Sequence, residues 1–268
     1  RQNTKTNMRA GYLQFAPEYL QVEANLDTVE RVLSGVDADL IVLPELFTSG
    51  YFFRSEEDLR QVAEPIPGGR STNRLQNWAR ETGATVVAGL AERAGQDIFN
   101  SAVLVRPEGS VETYRKGHLF YEETTLFEPG DLGFRVFDVT TRGGTPYRLG
   151  VMVCEDAWSA DVTECLEENG AGLLIAINGS PFDTAKLDVR LQLALARVTE
   201  CGLPLIYLNQ VGGQDELVFD GASFALDGDQ NLVAQLASFD EHLAVTHWHR
   251  DSLDTWTVAN APMIAPPD

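Results

Sequence analysis

The chain has 268 residues, 44% of them hydrophobic and 22% charged, which suits a single domain built on one large core. A formal charge of −20 makes nucleic acid and anionic membrane surfaces poor partners, since both are repelled over most of the surface. No run of about 18 uncharged apolar residues occurs, so no membrane-spanning helix is expected.

From the N-terminus, residues Arg1 to Asn7 are polar and precede the hydrophobic order that starts after Met8, so residues 1–7 read as a disordered or appended tail. The first strand is predicted over Ala10–Phe15. A helix over Glu23–Leu33 gathers Leu26, Val29, Val32 and Leu33 on one face. Strand Leu40–Leu43 follows, then a helix over Thr72–Glu81 carrying Leu75, Trp78 and Ala79. Strands are predicted over Thr85–Leu90, Ser101–Val105, Val111–Tyr114 and Arg148–Val153, then a helix capped by Ser159 and running through Leu166. Strand Gly172–Ile177 precedes the longest helix, Asp183–Glu200, and strands Leu205–Leu208, Leu217–Leu226, Leu232–Leu236 and Leu243–Thr246 end the ordered part. Apolar runs such as Leu40–Leu43 suit strands buried on both faces under helices, so the fold class is α/β and layered. Residues 8–250 form the single domain, and residues 251–268, rich in proline, read as a tail or linker.

Three reactive side chains stand where a buried strand runs into a loop. Glu45 follows Ile41, Val42 and Leu43 and precedes Leu46 and Phe47, so its carboxylate lies in apolar surroundings. Desolvation there raises a carboxyl pKa toward what a general base needs, although a carboxylate paired with arginine fits the same position. Lys116 follows strand Val111–Tyr114 in a chain whose only other lysines are Lys5 and Lys186. An ammonium at that point can hold an oxyanion and favour a neighbouring thiolate, or it is simply a surface lysine. Cys154 ends an apolar strand just before the Ser159 helix, where backbone N–H groups at the turn can bind an oxyanion; a buried inert thiol is the alternative. Cys165 and Cys201 read as small buried hydrophobes. An odd number of cysteines without CxxC spacing argues against disulfides and zinc and suits a reducing, cytoplasmic setting. His247 and His249 alternate on a strand edge and read as solvent-facing rather than metal-binding.

Glu45 in LPELF, Lys116 in YRKGHLF and Cys154 in GVMVCEDAW resemble, in order and spacing, the Glu–Lys–Cys motifs of the nitrilase superfamily of carbon–nitrogen hydrolases. The resemblance runs from Met8 to about Thr246. It implies an α-β-β-α sandwich that forms a homodimer or higher homo-oligomer, and a cysteine amidase that needs no metal and no cofactor. It further implies a second acidic residue after the lysine, for which Glu123 is the matching position and Glu122 the neighbour.

The stretches CEDAW, INGSPF and NQVGGQDELVFDG resemble the glutaminase domain of glutamine-dependent NAD synthetases. That resemblance implies a small-molecule amide substrate, glutamine or a related ω-amide, with Glu155, Trp158 and Ser180 around its α-amino group. The loop after Lys116 resembles stand-alone aliphatic amidases instead, with Tyr121 replacing the synthetases' aromatic. The sequence contains no SGGxDS-type pyrophosphate loop, so no adenylating half is expected. The ammonia then serves a partner synthetase subunit, or the protein is a free-standing hydrolase of small amides. A non-catalytic interaction subunit is the remaining alternative, and the intact set of reactive residues argues against it.

Overall fold

The structure is a computed structural model that describes residues 6–251, 255–259 and 262–266. The chain enters a first sheet with β1 (Thr6–Gln14), crosses helix α1 (Val22–Leu33) to β2 (Leu40–Val42), then helices α2 (Glu56–Val62) and α3 (Arg70–Thr82) to β3 (Thr85–Ala94). Strands β4 (Asp97–Val105) and β5 (Val111–Arg115) follow, and a short helix α4 (Glu123–Leu126) leads away from β5. The second sheet receives β6 (Val136–Thr140) and β7 (Pro146–Val153), a 3-10 turn at Cys154–Trp158, α5 (Ala160–Glu168), β8 (Leu173–Asn178), α6 (Lys186–Cys201) and β9 (Leu205–Asn209). After a small hairpin of β10 (Val211–Gln214) and β11 (Leu217–Asp220), β12 (Phe224–Leu226) and β13 (Leu232–Gln235) rejoin that sheet. Strands β14 (His242–Arg250) and β15 (Trp256–Val258) return to the first sheet, and β16 (Met263–Ile264) edges the second. The two seven-stranded sheets have the orders β15-β14-β1-β2-β3-β4-β5 and β16-β13-β12-β9-β8-β7-β6.

Alternation along the central strands decides the layering. Leu173, Ile175 and Ile177 of β8 meet Tyr12, Val42 and Leu104 of the first sheet, while Leu174 and Ala176 pack with Val162, Leu166 and Val198 of α5 and α6. On the other side, Ile41 and Val86 pack with Leu26, Val29 and Leu75 of α1 and α3. The result is the expected α-β-β-α sandwich. Strands β1, β2 and β3 are mutually parallel, as are β7, β8 and β9. In such sheets the carboxyl ends of the strands form the crevice where ligands bind.

Several expectations need correcting. Thr6 and Asn7, read as part of a tail, pair with Arg250 and His249 in β1, whereas residues 1–5 lie outside the described ones. The 251–268 segment is not a linker in its described parts. Trp256 is buried against Tyr147, with ring centroids 5.9 Å apart, and β16 pairs in parallel with β13, so proline-rich composition did not prevent docking. The single strand predicted over Leu217–Leu226 is two. Gly221 turns the chain at φ +70°, and a side chain there would overlap Gln14, so β11 stays in its hairpin while β12 enters the sheet. Ser159 does precede α5, but its side chain makes no cap hydrogen bond. His247 and His249 lie on β14 between two neighbouring strands and are half-buried; no cluster of possible metal ligands occurs among the described residues. Among those residues no helix is long and apolar enough to cross a membrane.

Candidate active site

Glu45 lies two residues beyond Leu43, whose N–H still bonds to Val87 in β3. The turn that carries it is pressed against Gly89: a Cβ there would come within 2.5 Å of the Glu45 Cα, so only glycine permits this approach. Lys116 continues β5 by one residue, its N–H donating to the Asn100 carbonyl at 2.8 Å. Cys154 opens the turn after β7 with φ +45°, a sparsely populated conformation for a residue with a Cβ. That strained strand-to-turn step aims a side chain off the sheet's carboxyl edge, as a nucleophile elbow does.

The structure brings Glu45, Lys116 and Glu123 together in the interior. Lys116 Nζ donates to Glu45 Oε1 at 2.8 Å and to Glu123 Oε1 and Oε2 at 2.9 and 3.1 Å. Gly179, just past β8, donates its N–H to Glu45 Oε2 at 2.7 Å, and Tyr51 O–H donates to Glu123 Oε2 at 2.6 Å. Asn100 Nδ2 bridges both carboxylates, 2.8 Å from Glu45 Oε1 and 3.2 Å from Glu123 Oε1. Glu45, Lys116, Glu123 and Cys154 are all buried, whereas Glu122 faces solvent, so of the two neighbouring glutamates Glu123 is the one in the cluster.

Electrostatics follow from this packing. Burial pushes the Glu45 carboxyl upward; Lys116 opposes the shift, and Glu123 adds to it. Burial alone would lower the Lys116 pKa, but Glu45, Cys154 and Glu123 outweigh it, so the amine stays an ammonium. The Cys154 thiol is pushed well up, first by burial and then by Glu45, with only Lys116 acting the other way. Lys116 therefore does favour a thiolate, as expected from its charge, but it is outweighed. The resting group is therefore a thiol.

Asp156 ties the two reactive loops together, a link the sequence did not reveal. Its Oδ2 accepts from Tyr114 O–H at 2.6 Å and from the Val153 N–H at 3.0 Å, and its Oδ1 accepts from the His118 N–H at 3.0 Å. Residues on both sides of Lys116 are thus fastened to the turn that carries Cys154.

The residues read as substrate-binding are more scattered. Glu155 is half-buried, its pKa raised by burial and lowered in turn by Lys116 and Lys186. Lys186 Nζ lies 5.7 Å from the Phe120 ring centroid and its charge acts on Glu155, so a cation and an anion lie near one another beside the buried cluster. Ser180 is buried, but its Oγ accepts from Arg190 Nε at 3.1 Å. Arg190 is itself spent on Asp220 and on the Ser180 and Pro181 carbonyls. Tyr121 is 77% exposed and set edge-on to Phe120, and Trp158 also turns outward. The structure does not bring these two aromatics into the buried cluster; Phe120, not singled out from the sequence, lies inward of Tyr121.

Residues 9–257 match the family profile described as carbon–nitrogen hydrolase. A nitrilase of Pyrococcus abyssi is 33% identical over 258 residues, covering 94% of this chain and 92% of that protein. A glutamine-dependent NAD(+) synthetase of Rhodobacter capsulatus is 36% identical over 86% of this chain, which spans 41% of the synthetase. An amidase from Nesterenkonia has a similar solved structure, with a TM-score of 0.75, 27% identity and 89% of each chain covered.

Proposed function

The chain belongs to the carbon–nitrogen hydrolase family, and from that premise we propose that it hydrolyses a primary carboxamide to acid and ammonia through a thioester on Cys154. The observation that carries this reading is the buried hydrogen-bonded set of Glu45, Lys116 and Glu123, electrostatically coupled to a thiol at a strained turn. Glu45 takes the Cys154 proton as sulfur attacks the amide carbon. The ammonium of Lys116 carries three hydrogens; when the one shared with Glu123 Oε2, the longest of its three contacts, turns away, it is free for the oxyanion, with the Glu155 N–H as a second donor. Glu45 then gives its proton to the departing nitrogen, the C–N bond breaks, and ammonia leaves. Water activated by Glu45 cleaves the thioester. Glu123, held by Tyr51 and Asn100, keeps Lys116 in register, and the reaction calls for no metal or cofactor.

Glutamine or a related ω-amide is the favoured substrate. Glu155 and Lys186 set opposite charges near one another, which suits the ammonium and carboxylate of an α-amino acid. Small aliphatic amides are the second reading, supported by Tyr121 and Trp158, which stay outside the buried cluster. The same reading takes the protein to be cytoplasmic, in keeping with its free thiols, and a homo-oligomer, with an ammonia-accepting synthetase subunit as the partner if glutamine is the substrate. An amide panel decides the substrate: ammonia from glutamine, lost in Cys154→Ala, is expected. Ammonia from propionamide but none from glutamine would reject the ω-amide assignment.

A further inference from the structure

Asn100 sits in β4, opposite Ala91 of β3, in a run of residues that are otherwise apolar or hydroxylic, and it is fully buried. Its Oδ1 has no hydrogen-bond partner among the described residues, which is costly for a buried amide. The compensation is entirely on the other side of the group, where Nδ2 donates to two carboxylates. Packing alone would be served better by an apolar residue of similar size.

Counting lone pairs on Glu45 shows what the amide does. Oε1 accepts from Lys116 Nζ and Asn100 Nδ2, both at 2.8 Å, and has no remaining lone pair for a proton. Among the described residues Oε2 accepts only the Gly179 N–H, which leaves it one lone pair. We propose that Asn100 is a positioning residue for the hydrolysis: together with Lys116 it occupies Glu45 Oε1, so that Oε2 is the oxygen that takes the proton from Cys154 and returns it to the leaving nitrogen. This rests on Glu45 being the general base. In the first step the S–H bond breaks, an O–H bond forms at Oε2, sulfur bonds to the amide carbon and the carbonyl pair moves onto oxygen. In the second, the proton leaves Oε2 for nitrogen as the C–N bond breaks. Asn100 donates without adding charge, so it stabilises the carboxylate of Glu45 while leaving Lys116 as the site's cation. The charged and titratable groups around Glu45 are Lys116 from the end of β5, Glu123 of α4, Cys154 of the turn, Tyr51 and Tyr207.

The test uses the full chain and an amide that it hydrolyses, with kcat and KM measured across pH for Asn100→Ala and Asn100→Asp. Losing a hydrogen bond to a charged group should lower kcat by about tenfold or more and leave KM nearly unchanged. The acid limb of kcat/KM should also move to higher pH, because without the donor the carboxyl holds its proton over a wider range. Asn100→Asp, the same size, should shift the limb further, since it adds a third acid to the cluster, and it decides alone if Asn100→Ala does not fold. A purely structural Asn100 would lower the melting temperature and leave the acid limb in place, and that result overturns the proposal. Iodoacetamide labelling followed by intact mass tests the underlying reading separately. Wild-type Cys154 alkylated no faster than Cys165 and Cys201, with no amide turned over, would reject Glu45 as the base, and the role of Asn100 with it.

Discussion

Lys116 and Tyr121 belong to one short loop but to two different regions of the molecule. Lys116 is buried, with every bond of its ammonium to a carboxylate recorded at 3.1 Å or less, and it is fixed from behind by the Asn100 carbonyl. Tyr121 stands at the rim, 77% exposed, touching Phe120. Lys116 is held at a strand end by a sheet hydrogen bond, whereas Tyr121 sits on a loop. The first region is suited to holding one geometry, and the second to being changed without cost to the fold.

Substitutions on each side should separate the two. The largest effect is expected from Lys116→Met, which removes a candidate oxyanion donor and leaves Glu45 and Glu123 without their cation. Amide turnover should fall by at least about 100-fold. Stability should fall too, since breaking a buried ion pair from one side costs about 3–5 kcal/mol. Ammonia release and a thermal melt measure both. Next comes Glu155→Gln: KM for glutamine should rise several-fold while propionamide is unaffected, and equal loss for both amides would move Glu155 from recognition to the chemistry. Tyr121→Ala should be the mildest, within about twofold in kcat/KM and without change in melting temperature, as for surface substitutions generally. A large loss at Tyr121 would erase the boundary drawn here.

The same division explains what the sequence made legible. Glu45 and Cys154 each follow an apolar strand, visible as a run rich in Ile, Val and Leu that stops at a polar residue, whereas Lys116 follows the mixed strand VETYR and stood out by the scarcity of lysine. Layering was legible from the same apolar runs. Asn100 was missed because the strand prediction began one residue later, at Ser101; its only signal is a polar amide inside the run Ile98 to Val105, without a turn to explain it. Asp156 was passed over as one acid among many, since two of its three partner residues, Tyr114 and His118, lie about forty residues away in the chain. The outward set of Tyr121 depends on a backbone φ of +34°, which side-chain pattern does not encode. The division of Leu217–Leu226 turned on the contact of Gly221 with Gln14, more than two hundred residues away.

The central claim is that sulfur of Cys154 carries the acyl group. Rapid acid quench of the enzyme during turnover of its amide, followed by intact mass and peptide mapping, tests it directly. An adduct with the mass of the acyl group on Cys154, absent from Cys154→Ala, is the predicted result. Continued ammonia release by Cys154→Ala, or turnover with no adduct on any cysteine, would contradict it.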